Sequence, residues 1–465
     1  MQFSSGVFLM LFLPITIGIY KCGGSFLGHG FKNIILLIFS MIFYAWGEPL
    51  YIFVLIFGIC INYYLGIEIE RGRHKKAFLA FSLIFNLGNL FIFKYLSFVT
   101  RELYKIIPIK VVSIALPIGI SFYSFQIMSY IFDVYYEKVP AQKNILNLAL
   151  YISMFPQLVA GPIVRYSDIE KEINERSENS ELFYQGTQRF IIGLAKKVLV
   201  ADFLGGIADK IFITAEYSDI PMLTAWIGAI SYTFEIYYDF SGYSDMAIGL
   251  GKCFGFHFKE NFNYPYISCS ITEFWRRWHI SLTDWFRDYV YIPLGGNRVS
   301  SKRHIFNLFI VWLLTGVWHG ANWTFILWGM MYFIIQLFEK KTKIMDRIPK
   351  VLGYVITMII VTIGWTIFKA KNLINLASFL AAMFGYGDGI IDSSTLLYFK
   401  SSVIILSISF IGSFPIVETI EGKFLNPEIK VIKELVWLPL SVVLLGFCLL
   451  VIINGSYSPF IYFNF

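Results

Sequence analysis

The stretch that decides the fold reads Thr315-Gly316-Val317-Trp318-His319-Gly320-Ala321-Asn322-Trp323, inside an apolar segment from 305 to 338. Arg298, Lys302, Arg303 and His304 stand before that segment, and Lys340, Lys341, Lys343, Arg347 and Lys350 follow it. Basic clusters beside apolar spans stay on the cytoplasmic side of a membrane. Both ends of 305–338 therefore belong on one side, so the segment must enter, turn and return. Its natural break is Gly316 to Asn322. From Ile305 to Trp318 a helix rises only ~21 Å at 1.5 Å per residue, short of a ~30 Å hydrocarbon core. His319 is thus expected deep in the membrane. Ionisable groups are costly there and mark cavities or reaction paths.

The composition around this stretch agrees. Of 465 residues 57% are hydrophobic, 19% aromatic and 15% charged, and the mean hydropathy is +0.64. Soluble domains carry roughly 25% charged residues. The expectation is an all-α polytopic membrane protein forming a single integral domain, 1–465. Apolar segments fall at 6–20, 32–46, 49–67, 77–98, 113–136, 145–162, 189–212, 222–240, 305–338, 351–369, 402–418 and 435–455. Arg71, Arg73, Lys75 and Lys76 place the loop after the third segment in the cytoplasm, which puts the N-terminus outside. Pro156, Gly161 and Pro162 make 145–162 a second re-entrant segment, since non-helical backbone at that depth survives only in protein or facing water. About ten full spans remain, with the C-terminus also outside.

Other classes fall away. The net charge of +7 reads as loop asymmetry, and no nucleic-acid partner is expected. Cys22, Cys60, Cys253, Cys269 and Cys448 form no Cys-x-x-Cys pair, so neither a disulfide framework nor a thiolate site is indicated. Residues 6–20 resemble a signal-peptide core, but no cation precedes them and no small-residue cleavage pattern follows; they are kept as a first span. The glycine-rich run from Gly23 to Gly30 follows no strand and is no phosphate cradle. Two histidines without a third ligand at metal spacing give no ground for a metal site. Ser241 lacks the Gly-x-Ser-x-Gly setting of a hydrolase nucleophile.

Chemistry concentrates between Thr272 and Trp323. His319, beside Gly320, reads either as a general base that a hydroxyl can approach or as a neutral core histidine. His279 closes Trp275-Arg276-Arg277-Trp278. Were Thr272 to Tyr289 one helix, His279 would share a face with Trp275, Leu282 and Phe286. The plainer reading is an interfacial helix whose arginines rest on membrane lipid phosphates. The same arginines suit the phosphates of a nucleotide-like thioester. His29, His74, His257 and His304 read as solvated.

These residues carry a resemblance. Phe43-Tyr44-Ala45-Trp46, Leu116-Pro117-Ile118-Gly119-Ile120-Ser121-Phe122-Tyr123 and Phe155-Pro156-Gln157-Leu158-Val159-Ala160-Gly161-Pro162 open a series. Tyr238-Asp239-Phe240-Ser241-Gly242-Tyr243-Ser244-Asp245, Tyr264-Pro265-Tyr266, the His279 and His319 motifs and Ser458-Pro459-Phe460-Ile461-Tyr462-Phe463 continue it. In that order they resemble the membrane-bound O-acyltransferase family, across nearly the whole chain. The nearest branch holds the membrane subunit of alginate O-acetylation and the teichoic-acid D-alanyl transfer protein.

The resemblance implies a ring of tilted helices around a central tunnel, with His319 at the family's essential histidine and His279 at its second polar position. It also implies a cytoplasmic acetyl-CoA or acyl-carrier thioester as donor substrate, with no bound cofactor, and an exported polysaccharide as acceptor. A hydrolase-like extracytoplasmic partner and a bacterial cytoplasmic membrane belong to the same picture. Trp275, Arg276, Arg277, Trp278 and Asn322 are the expected substrate contacts. D-alanyl transfer from a carrier protein is the competing enzyme reading, and proton-coupled transport through His319 the competitor from another class. The orientation is testable by itself: Ser218→Cys and Ser393→Cys should react with an impermeant thiol reagent from outside, and Lys341→Cys should not. Labelling at Lys341→Cys alone would invert the topology.

Overall fold

The computed structural model describes residues 1–416, 419, 427–455 and 460–461. Among them every regular element is helical. Eighteen helices are named here in chain order: α1 Leu13–Gly47, α2 Ile52–Glu70, α3 Lys75–Leu90, α4 Leu96–Tyr104, α5 Ile120–Tyr135, α6 Ile145–Ser153, α7 Tyr166–Asn174, α8 Ser180–Ala195, α9 Asp202–Thr214, α10 Met222–Cys253, α11 Ile271–Arg277, α12 Ile280–Phe286, α13 Ser301–His319, α14 Trp323–Thr342, α15 Lys350–Lys369, α16 Leu373–Met383, α17 Ser393–Gly412 and α18 Pro427–Asn454. Six helical stretches among the described residues are long and apolar enough to cross a membrane: Gly28–Gly47, Ile52–Glu70, Lys75–Tyr104, Lys350–Lys369, Ser393–Gly412 and Val436–Asn454. The expected 402–418 segment and the terminal motif run partly outside the described residues, at 417, 418, Ser458, Pro459, Tyr462 and Phe463.

The chain divides into two compact units. One comprises Met1–Ile191, Tyr243–Glu260 and described residues from Gly455 on. Phe3, Phe8, Phe12, Phe43 and Phe155 interlock there, Phe12 meeting Phe155 edge-on with centroids 5.4 Å apart. The buried Arg176 is satisfied by Tyr20 Oη at 3.0 Å and Asn33 Oδ1 at 2.6 Å. Segment 145–162 is helical only through α6, nine residues long. Met154 to Val164 then runs buried without helix, as Pro156, Gly161 and Pro162 led one to expect.

Several boundaries differ from the periodicity. The 113–136 segment becomes helix only at Ile120, because Pro117 disfavours helix before it and Gly119 sits at φ +75°. A Cβ on Gly119 would stand 2.7 Å from the Leu158 carbonyl oxygen. Segment 222–240 extends to Cys253. Its polar run hides the continuation, yet Asp239 pairs with Lys197 at 2.5 Å and Asp245 with Arg189 at 2.8 Å. The Gly23–Gly30 run lies within α1, where Gly28, at φ +74°, marks a kink. Helix α16 has no counterpart among the expected segments.

The second unit comprises Ile192–Gly242 and Asn261–Asn454. Its centre is the α13–α14 hairpin, which turns through Gly320, Ala321 and Asn322. Helix α13 starts at Ser301, before the charged residues, so it is 19 residues long instead of the 14 counted from Ile305. Between apolar helices, close approach at small residues replaces the hydrophobic drive available in water. A Cβ on Gly316 would stand 2.6 Å from the Phe325 carbonyl oxygen, and one on Gly329 2.6 Å from that of Trp312. Gly316→Val should therefore force the arms apart and destabilise the protein by about 1–3 kcal/mol, the usual cost of overpacking. Gly88→Ala, with no atom within 4 Å of the added carbon, should stabilise α3 by roughly 0.5–1 kcal/mol. Thermal unfolding in detergent reads both signs.

Candidate active site

The expected helix from Thr272 to Tyr289 breaks in two. Ser270 caps α11 by accepting from Glu273 N at 3.0 Å. The Glu339 carboxylate of α14 takes the Ile271 and Thr272 amides at 2.7 and 2.9 Å. Helix α11 ends at Arg277, and His279 adopts φ +46° before α12 begins. That left-handed conformation costs a non-glycine residue roughly 1–2 kcal/mol, and such strain concentrates at functional sites. Two backbone bonds hold it: Ile280 N donates to Asn261 O and Asn263 N to Arg277 O, both at 2.9 Å.

The break turns His279 inward. It is 2% exposed, its ring centroid 4.6 Å from Phe240 and 5.9 Å from Trp318. Burial pushes its imidazole down to about 3, so it is neutral near pH 7. His279 Nδ1 lies 3.1 Å from Asn261 Oδ1, which also accepts from Ser281 Oγ at 2.8 Å and Ser281 N at 3.2 Å. His319, the last residue of α13, is 4% exposed. Its ring meets Trp318, Trp328 and Phe368 at 5.0, 5.0 and 5.1 Å.

One cavity of about 170 Å³ is lined by both histidines. Trp275, Trp278, Leu282 and Phe286 form part of its wall, and Leu308, Val311, Trp312 and Thr315 of α13 another. Thr283, Arg287, Tyr291 and Gln336 add polar atoms. Trp275 is locked edge-on against Trp312, Trp328 and Tyr332 at 5.2, 5.3 and 4.9 Å, contacts each contributing ~0.5–1.5 kcal/mol beyond buried area. The four residues expected on one helical face, Trp275, His279, Leu282 and Phe286, thus share the cavity although the helix is interrupted.

The other expected contacts lie elsewhere. Arg276 is exposed, while Arg277 is held by Glu273 at 3.0 Å and by the Asn263 carbonyl at 3.1 Å; neither lines the cavity. Asn322 caps α14 by accepting from Thr324 N, and its amide donates to the Lys371 carbonyl at 2.9 Å. It shapes the turn beside His319. His304, expected in solvent, is half-buried with Nε2 3.0 Å from Lys340 Nζ. Sequence reasoning missed Arg287, Gln336 and Asn261. Arg287 and Tyr291 bound a π-helical turn, which no hydrophobic period announces, and Asn261 is separated from its histidine by the whole of α11.

Two imidazoles thus share one apolar cavity in a chain with six helical stretches, among the described residues, long and apolar enough to cross a membrane. The model of the MBOAT, membrane-bound O-acyltransferase family, matches residues 73–379. The chain belongs to that family and is an acyltransferase. It is similar to the probable alginate O-acetylase AlgI of Pseudomonas aeruginosa, 44% identical over 83% of this chain and 75% of the relative. The peptidoglycan O-acetyltransferase of Helicobacter pylori is 34% identical over 82% of this chain and 80% of its own. The teichoic acid D-alanyltransferase of Bacillus subtilis is 29% identical over 55% and 69%.

Which arginine meets the acyl donor is testable. Arg287, which lines the cavity while paired with Asp284 at 2.6 Å and Asp288 at 2.7 Å, is the arginine whose replacement by Ala should raise the donor KM, roughly tenfold at unchanged kcat, since shared binding leaves kcat alone. Arg276→Ala should leave KM unchanged. Steady-state kinetics at varied donor concentration separates the two.

Proposed function

We propose that the enzyme O-acetylates an exported polysaccharide, taking the acetyl group from acetyl-CoA on the cytoplasmic side. The observation that carries this reading is the sharing of one apolar cavity by His279 and His319, in a chain whose more similar relatives are named for O-acetylation of alginate and peptidoglycan. The whole chain acts as one membrane domain of a bacterial cytoplasmic membrane, with 145–162 and 305–338 re-entrant and both termini outside. A hydrolase-like extracytoplasmic protein is its proposed partner, either as the immediate acceptor or in delivering acetyl groups to the glycan.

In this mechanism the thioester carbon lies in the cavity and the acceptor hydroxyl reaches it beside His319. Gly320 packs directly against the Phe325 ring, with no space for a side chain, and so fixes the turn that presents His319. The His319 imidazole takes the hydroxyl proton as the oxygen attacks the carbonyl carbon. The C–S bond breaks, the ester forms, and the imidazolium returns its proton to the departing thiolate. A cation formed at His319 meets the negative end of the α13 dipole. The walls of Trp275, Trp278, Trp312 and Leu308 exclude water, which would otherwise hydrolyse the thioester.

A positioned general base contributes roughly 10²–10⁴ in rate. His319→Gln keeps much of the side chain's size and hydrogen-bonding capacity but cannot accept a proton near neutral pH. Its transfer of radiolabelled acetyl groups per folded molecule should fall by that factor at near-normal membrane abundance, while His304→Gln stays active. Activity within a few-fold of wild type would remove His319 as the base, and label remaining wholly on CoA with wild-type membranes would remove the acetyltransferase reading.

A further inference from the structure

The hydrogen-bond pattern around His279 decides which way its ring can act. A carbonyl oxygen and an amide nitrogen of asparagine look alike in shape, so their assignment follows from the neighbours. The Ser281 backbone N–H, 3.2 Å from the Asn261 side chain, can only donate. The Asn261 atom it faces is therefore the carbonyl oxygen, Oδ1. The same oxygen stands 3.1 Å from His279 Nδ1 and has no hydrogen to give. Nδ1 must be the donor. In a neutral imidazole one nitrogen donates and the other accepts, so Nε2 carries the lone pair.

We propose that Asn261 is a positioning residue that keeps the proton of His279 on Nδ1, so that Nε2 meets the acyl donor as a hydrogen-bond acceptor. The inference rests on the acetyl-CoA reading and deepens it. A thioester carbonyl, having no hydrogen, cannot be the group His279 holds, and a neutral Nε2 cannot stabilise an oxyanion. The group it fits is a hydrogen-bond donor; since His319 takes the acceptor hydroxyl, the donor left on the acetyl-CoA side is a secondary amide N–H of the pantetheine arm. Gln336, also on the cavity wall, obeys the same logic with the opposite sign. Its Oε1 lies 3.0 Å from Trp312 Nε1, an obligate donor, so its amide NH₂ is left to meet a carbonyl. The cavity thus holds, among its polar groups, an acceptor at His279 and a donor at Gln336.

Asn261 is well placed for the task. Its own carbonyl accepts from Ile280 N at 2.9 Å, so backbone and side chain together clamp the turn that carries His279. The groups packed on the imidazole from Phe240 and Trp318 do not titrate. The titratable or charged groups sharing the cavity are His319, Arg287 and Tyr291.

Asn261→Asp tests the idea with little change of shape. Its carboxylate still accepts from Ser281 N and His279 Nδ1, so folding is retained, checked by thermal unfolding. The added negative charge favours the imidazolium, in which Nε2 becomes a donor. The expected result is a KM for acetyl-CoA that rises roughly tenfold per pH unit below the new His279 pKa, while the wild-type KM does not follow that rise. The donor's own phosphates titrate alike for both enzymes and cancel. A flat difference between variant and wild type, or a kcat that climbs at low pH as an oxyanion donor would require, overturns the proposal. Neither result touches the acetyltransferase reading, which fails on wild-type membranes or on an active His319→Gln.

Discussion

Backbone packed directly on backbone at Gly316 and Gly329 determines where His319 stands. Each glycine lies so near an opposing carbonyl, those of Phe325 and Trp312, that a single added carbon would collide with it. The α13–α14 hairpin is therefore held at one separation and one rotation. Trp312 and Trp328, from the two arms, then reach Trp275, while Glu339 further along α14 takes the first amides of α11. The element bearing His279 is thus docked on the element bearing His319. Both histidines inherit their places from one contact between two helices.

Polar groups in such an interior need defined partners, because an unsatisfied one costs several kcal/mol in an apolar medium. That requirement turns the site's hydrogen bonds into information. Ser281 N and Trp312 Nε1 can only donate, and from those two atoms the orientations of Asn261 and Gln336 follow. The left-handed residue at position 279 follows the same requirement: the irregular backbone at 261–263 satisfies the turn that a continuous helix would not have made.

Much of this was legible in the residues themselves. Charge on both sides of 305–338 required a hairpin, and the hairpin breaks at Gly320 to Asn322. Pro156, Gly161 and Pro162 announced non-helical backbone, which the buried stretch after α6 shows. The motif residues pointed to the acyltransferase family that the relatives establish. Periodicity failed where local constraints compete with it: at Gly119, at Trp278–His279 and through the polar half of α10. Arg276 and Arg277 drew notice because guanidinium groups suit phosphates; of the arginines in this stretch, Arg287 is among those lining the cavity, presented by a π-helical turn that shifts the register of the face.

By itself the sequence marked most apolar segments, the hairpin turn after His319 and the two histidines that line one cavity, because hydropathy, charge and the stereochemistry of proline and glycine act locally. The tertiary structure alone decided which polar groups meet. Asn261 reaches His279, Gln336 reaches Trp312, and Asn322 serves a helix cap and the Lys371 carbonyl instead of the cavity. Those pairings depend on where distant segments pack, and the proton on His279 follows from them, since no residue chooses its own tautomer without a neighbour.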